Sequence, residues 1–245
     1  MKEWKLSAKA LLVLASSLQA QHFYGMRDPF FGMTAQEIRA EQDTLLADLE
    51  QTGCVTLGFD GSVSVAPELG QLVQICTDCQ VYATVDAICA GQIQPRRLLY
   101  RRDGACALVE QDGADVTLQA YDWQQAPACI LGEALQTVPE EPAAVLPQPL
   151  LQKLPGLEEP AAVAKLQAAG CGEQMSRLLF RGLTRTADYR SIGVVELARR
   201  SLQCIALVSG PEGQLQLLAD DDYTDQWHVS WQTASALQRA VAALL

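Results

Sequence analysis

The sequence predicts an α/β fold of the α+β kind. It expects a central antiparallel sheet with flanking helical bundles, in a pseudo-two-fold arrangement of two similar halves. Three observations carry this reading. Cys106-Ala107-Leu108-Val109 leads through Asp112-Gly113 into Val116-Thr117-Leu118. Ile205-Ala206-Leu207-Val208 leads in the same way through Pro211-Glu212-Gly213 into Leu215-Gln216-Leu217. Each is two alternating apolar runs joined by a turn, and each is followed by a Trp and an apolar helical pattern. The second observation is a set of helical stripes with start and stop signals. The third is proline: residues 137–160 hold six of the eleven. That stretch reads as a linker, with an N-terminal half over 1–136 and a C-terminal half over 161–245.

Leu11, Leu12, Ala15 and Leu18 make a stripe for a first core helix. The same twenty residues, with Lys2, Lys5 and Lys9 ahead of an apolar run, also suit a short signal peptide, although Glu3 interrupts the basic region. Thr34-Ala35-Gln36-Glu37 is a capping-box pattern that opens a helix bearing Ile38, Leu45, Leu46 and Leu49. Gly53 stops it. Cys54 to Leu57 and Ser62 to Val65 read as strands about an Asp60-Gly61 turn. Pro67 suits the first turn of a helix with Leu69, Leu72, Val73 and Cys76 on its face. Extended pattern begins at Val81. Arg97 to Arg101, Asp103-Gly104 and the first repeated hairpin make a three-stranded meander whose Val116, Leu118 and Ala120 face a core. In the second half Val163 and Leu166, then Met175, Leu178, Leu179 and Gly182, mark helices. Ser191 to Ala198 fits either strand or helix. After the second hairpin come a short strand, Trp227 to Trp231, and a closing helix, Gln232 to Leu245.

Almost half of the 245 residues are apolar, enough for a sizeable core, and the formal charge is −11. Such a field repels nucleic-acid phosphates. Eight scattered Cys point to a reducing, cytoplasmic setting. The absence of Asn removes any N-glycosylation acceptor.

Chemistry-bearing motifs are few, and the expectation is no catalytic residue, no cofactor and no metal. There is no Gly-Lys pair for a phosphate loop. Cys76-Thr77-Asp78-Cys79 ends a helix, where the dipole disfavours a thiolate, and has no second ligand pair. Asp220-Asp221-Asp222 with Asp225 fails calcium-loop spacing. His22 and His228 are the only imidazoles, and no nucleophile-elbow pattern accompanies them. A carboxylate-pair hydrolase needs no local motif and stays open.

Two features suit a protein interface. Arg96, Arg97, Arg101 and Arg102 form a basic island in an acidic chain. Trp123, Tyr223, Trp227 and Trp231 lie beside the repeated hairpins. Arg and aromatics anchor interfaces, so Arg97, Arg101, Trp123, Tyr223, Trp227 and Trp231 are the candidate partner-binding residues. The other reading places the Trp residues in the core and the Arg residues along a guarded strand edge. The first half also has the order of a winged helix, with Asp60-Gly61 at the wing tip. The helix before that wing carries Glu37, Glu41, Asp43, Asp48 and Glu50 against Arg39 alone. Its charge opposes DNA reading and leaves a regulator or scaffold as the alternative function.

The closing stretch Trp227-His228-Val229-Ser230-Trp231-Gln232-Thr233 with Leu237 to Leu245, and the two strand-and-helix halves, resemble the EspG-like chaperones of type VII secretion. The opening is similar to uncharacterised relatives beside such systems in Gram-positive bacteria. Its residues are Leu11-Leu12-Val13-Leu14-Ala15, Tyr24-Gly25-Met26, Leu46-Ala47-Asp48-Leu49-Glu50-Gln51-Thr52-Gly53 and Asp60-Gly61. The Cys content and the wing depart from the mycobacterial members. The resemblance implies a cytoplasmic, non-enzymatic chaperone. It implies as partner a helical secreted protein or heterodimer, with neither nucleic acid nor direct membrane insertion.

Overall fold

A computed structural model describes residues 2–20, 22–131, 139–219 and 225–244. The fold class is α+β, a large antiparallel sheet with flanking helices. The chain divides into two compact units, which are not the two consecutive halves expected from the prolines. One comprises Met1–Thr84, Pro95–Gln124 and Val195–Ser201; the other Val85–Gln94, Gln125–Val194 and Leu202–Leu245.

The first unit opens with strand β1 (Glu3–Ser7). Charged residues alternating with Trp4 and Leu6 explain why a strand stands where the sequence reading began a helix. Ser7 ends the strand and caps helix α1 (Ala8–Ser17) by accepting from the Ala10 amide at 3.1 Å. Leu11 and Leu14 of α1 are fully buried. The expected capping box opens helix α2 (Ala35–Gln51), with Thr34 and Glu37 bonded reciprocally. Strands β2 (Val55–Leu57) and β3 (Val63–Val65) form the wing. Helix α3 (Pro67–Thr77) starts on its proline.

Strand β4 (Val81–Cys89) begins in this unit; β5 (Gln92–Ile93) pairs with its far end. The meander follows as β6 (Arg96–Arg102), β7 (Ala105–Asp112) and β8 (Asp115–Ala120). Asp103 and Gly104 both have positive φ, 49° and 81°, as a two-residue turn between β6 and β7 requires. The order across this part of the sheet is β1-β8-β7-β6-β4. One face of it, with Trp4, Leu98, Tyr100, Val109 and Leu118, packs on α1 and α3.

The second unit holds helix α4 (Ala126–Leu131), strand β9 (Ala144–Pro147) and helices α5 (Gln148–Lys153), α6 (Glu159–Ala168) and α7 (Glu173–Leu183). Strands β10 (Asp188–Glu196) and β11 (Ser201–Gly210), apart from the end of the one and the first residue of the other, with β12 (Gly213–Ala219), β13 (Gln226–Trp231) and helix α8 (Ala234–Leu244), complete it. Much of the expected linker is therefore regular structure. Its prolines sit where proline is tolerated: Pro147 ends edge strand β9, and Pro149, Pro155 and Pro160 lie in first turns. The order is β10-β11-β12-β13-β9. Ala206, Val208, Leu215, Leu217 and Val229 face Leu154, Leu166, Met175, Leu178 and Leu179 of the helical layer.

The two units share one order of elements. An outer strand is followed by three helices, interrupted in the first unit by the β2–β3 hairpin, and then by sheet strands, the last of which pairs with the outer strand: β1 with β8, and β9 with β13. By this order β12 answers to β7 and β11 to β6. The correspondence expected from sequence, β7–β8 with β11–β12, is one strand out of step. Neighbouring strands with the same two-residue period look alike in sequence. Six residues also separate β12 from β13, against the two between β7 and β8, so the sequence offers no short turn signal there.

Candidate functional site

In the first unit Arg97 and Arg102 of the basic island are paired with carboxylates. Arg97 on β6 stands opposite Glu110 on β7, and its Nε donates to the Glu110 carboxylate at 2.8 Å. Arg102 donates to Asp78 at 3.0 Å. Arg101, on the same strand face as Arg97, lays its guanidinium 5.0 Å from the centre of the Trp123 ring. Two of the expected residues, Arg101 and Trp123, thus meet, with both side chains partly exposed.

In the second unit Trp227 and Trp231 share the helix-facing side of β13, four residues and ~13 Å apart. Their fates differ. Trp231 is 9% exposed and donates its indole N–H to Glu141 at 3.1 Å. It belongs to the core, which corrects its expected place on a binding surface. Trp227, paired with Leu146 of β9 and Ala219 of β12, forms a wall of an open cleft of ≈ 280 Å³. Leu151 of α5, Pro155, Leu183 of α7, Tyr189 of β10, Ala206 of β11 and Leu217 of β12 complete its apolar lining, with Gln148 and Gln152 beside them. Burial raises the pKa of the Tyr189 phenol, which therefore stays a neutral hydroxyl. Ile93, on the β4–β5 hairpin of the same unit, is almost fully exposed. That hairpin is held where the Ala90 amide donates to Asp188 at 2.8 Å.

The cleft lies just below the ~300–1,000 Å³ usual for small-molecule sites. Its shape and lining suit an inserted apolar side chain. Sequence reasoning found Trp227 but missed Leu151 and Pro155, because the prolines around them read as a linker. Tyr223 and the acidic run Asp220 to Asp222 lie outside the described residues.

The thiols offer no reactive centre of the kind a Cys-x-x-Cys suggests. Cys76 and Cys79 are buried, and burial pushes Cys76 well above the usual thiol range and Cys79 up to about 12. Among the described residues no group of three or more His, Cys, Asp or Glu is placed to hold a metal. Among them, too, no helix is long and apolar enough to cross a membrane. Helix α2 and the β2–β3 wing stand in winged-helix order, and the acids of α2 oppose phosphate there.

No family model matches the chain, and no curated protein matches it in sequence. A solved structure does match: the Mycobacterium tuberculosis type VII secretion system chaperone EspG5 in complex with the PE25–PPE41 dimer. The TM-score is 0.68 at 12% identity, over 99% of this chain and 95% of that one. The fold is EspG-like. At this identity the likeness establishes the fold alone, and it runs through both units of the chain. The EspG-like fold therefore includes β9 and α5, the segments hidden in the proline-rich stretch.

Proposed function

We propose that this chain is a non-enzymatic chaperone or adaptor that binds a helical substrate of type VII secretion in the cytoplasm. The observation that carries the proposal is the end-to-end likeness to a chaperone solved with a PE–PPE dimer bound. A helical protein awaiting export exposes apolar surface that aggregates unless covered. A folded acidic partner covers it and keeps the complex dissolved.

On this reading the Trp227 cleft receives an apolar side chain from the partner's helix, and Tyr189 and the two glutamines orient it. The Arg101–Trp123 pair is a second anchor, since both residue types are enriched among binding hot spots. Co-expression with a small helical type VII secretion substrate tests the proposal. The expected result is one stoichiometric complex on size-exclusion chromatography, with a partner that is insoluble when expressed alone. Partners that fold and stay dispersed without this chain, and never co-elute with it, would overturn the reading.

The winged-helix order of α2 and the β2–β3 hairpin favours a regulator as the second reading. Salt-sensitive retention of duplex DNA in a mobility-shift assay would support it; the acidic α2 predicts none.

A further inference from the structure

The first unit carries a surface that the chaperone reading leaves unused. Helix α2 runs 17 residues, or ~26 Å, and buries only Leu49 fully. It rests on α1 and β2, with its other sides in solvent. Phe31, in the turn before its N-cap, is 90% exposed. Phe59, at the tip of the wing that follows its C-terminus, is fully exposed. Leu57 on β2 is 37% exposed beside the helix end, where its amide donates to Glu50 at 3.0 Å. Two bare phenylalanines therefore flank a solvated helix.

Five acids stand on α2 against one arginine. Glu37 is held in the capping box and Glu41 by Lys9 at 2.9 Å. Asp43 and Asp48 are exposed and make no ion pair among the described residues. In a winged helix this element and its wing are the ones that enter a groove. Here their charge is of the sign that rejects phosphate and attracts ammonium and guanidinium groups.

We propose that α2 and the wing form a second protein-docking surface, for a basic amphipathic segment of another protein. Lysines or arginines of that segment lie along Asp43 and Asp48, and apolar recesses at its ends take Phe31 and Phe59. This surface belongs to the first unit, and the Trp227 cleft is built by residues of the second.

The probe is a peptide of Lys and Leu at helical spacing, with a Glu-for-Lys counterpart as its control. Binding is read by fluorescence anisotropy at low and raised salt and by amide shift mapping on the intact chain. The Lys peptide is expected to bind, to perturb residues 31–59, and to weaken with salt. Phe31→Ser/Phe59→Ser and Asp43→Lys/Asp48→Lys are each expected to weaken it by about tenfold or more. Asp112→Lys/Asp115→Lys makes the same change in net charge on the exposed β7–β8 turn and is expected to leave binding unchanged. All these side chains are exposed, and a thermal melt checks that the variants stay folded. Equal loss in the Asp112/Asp115 variant would reduce the effect to general acidity and overturn the proposal. So would an absence of binding, or perturbations elsewhere on the chain. A wild-type dimer that the Phe31/Phe59 variant dissociates would give the surface to a second copy of the chain, and would overturn it as well.

Discussion

Glu141 holds Trp231: the indole N–H donates to its carboxylate at 3.1 Å. The same carboxylate caps α7, accepting from the Gln174 and Met175 amides at 3.0 and 2.9 Å. The N-cap residue, Gly172, has no side chain to do this, and a Cβ there would stand 2.2 Å from the Glu141 carboxyl carbon. One residue from the segment before β9 thus ties a helix start to the last strand of its sheet.

Removing this tie is expected to cost stability. Hydrogen bonds to a charged group contribute ~1.5–3 kcal/mol each. Because these three bonds are solvent-exposed or only part-buried and do not add fully, Glu141→Ala should lower the unfolding free energy in urea by about 2–3 kcal/mol. Gly172→Ala should produce a similar loss by displacing the carboxylate, and the two losses should not add. Additive losses would mean that Gly172 acts through something other than Glu141.

Gly182 lies where α7 presses on β11. A Cβ there would come within 2.5 Å of a Val208 methyl. Alanine is the better helix former by ~1 kcal/mol, but overpacking costs ~1–3 kcal/mol. Gly182→Ala should therefore destabilise the protein, and Val208→Ala should relieve part of the penalty in the double variant. A stabilising Gly182→Ala would contradict the close approach.

The capping box predicts a pH dependence. Hydrogen bonds from the Thr34 backbone and side chain lower the Glu37 pKa from 4.5. A carboxyl whose folded pKa is depressed contributes stability above its unfolded value and loses it as pH falls through the folded value. The start of α2 should thus hold at pH 5 and above and loosen on further acidification. In an NMR titration the Thr34 amide should move with a midpoint below 4.5. Glu37→Gln should remove that transition.

Burial keeps Cys76 and Cys79 protonated at neutral pH. Neither should react with iodoacetamide in the native protein, and both should react in denaturant. Rapid native labelling of the pair would revive the redox reading of Cys-x-x-Cys.

Local chemistry made several elements readable before the structure. Thr34 and Glu37 start a helix because their side chains satisfy its first amides, Pro67 starts another, and Asp103-Gly104 turns a hairpin. Long-range pairing was not readable. Strand β1 looks like the beginning of a helix until β8 lies beside it, and β9 looks like a linker until β13 does. The candidate site divides in the same way. Trp227 and Trp231 share a strand face and residue type, and it is tertiary contacts, among them Gly213 on the next strand and Glu141 ninety residues away in the chain, that make one of them core. Leu151 and Pro155 enter the cleft only once α5 packs against the sheet.

The most direct test of the proposed chaperone role is a calorimetric titration of the helical partner into wild-type protein and the Trp227→Ala variant. The variant should remain folded and bind at least about tenfold more weakly, the loss expected of a buried aromatic anchor. Wild-type affinity in both Trp227→Ala and Leu151→Ser would show that the cleft is not where the partner is held.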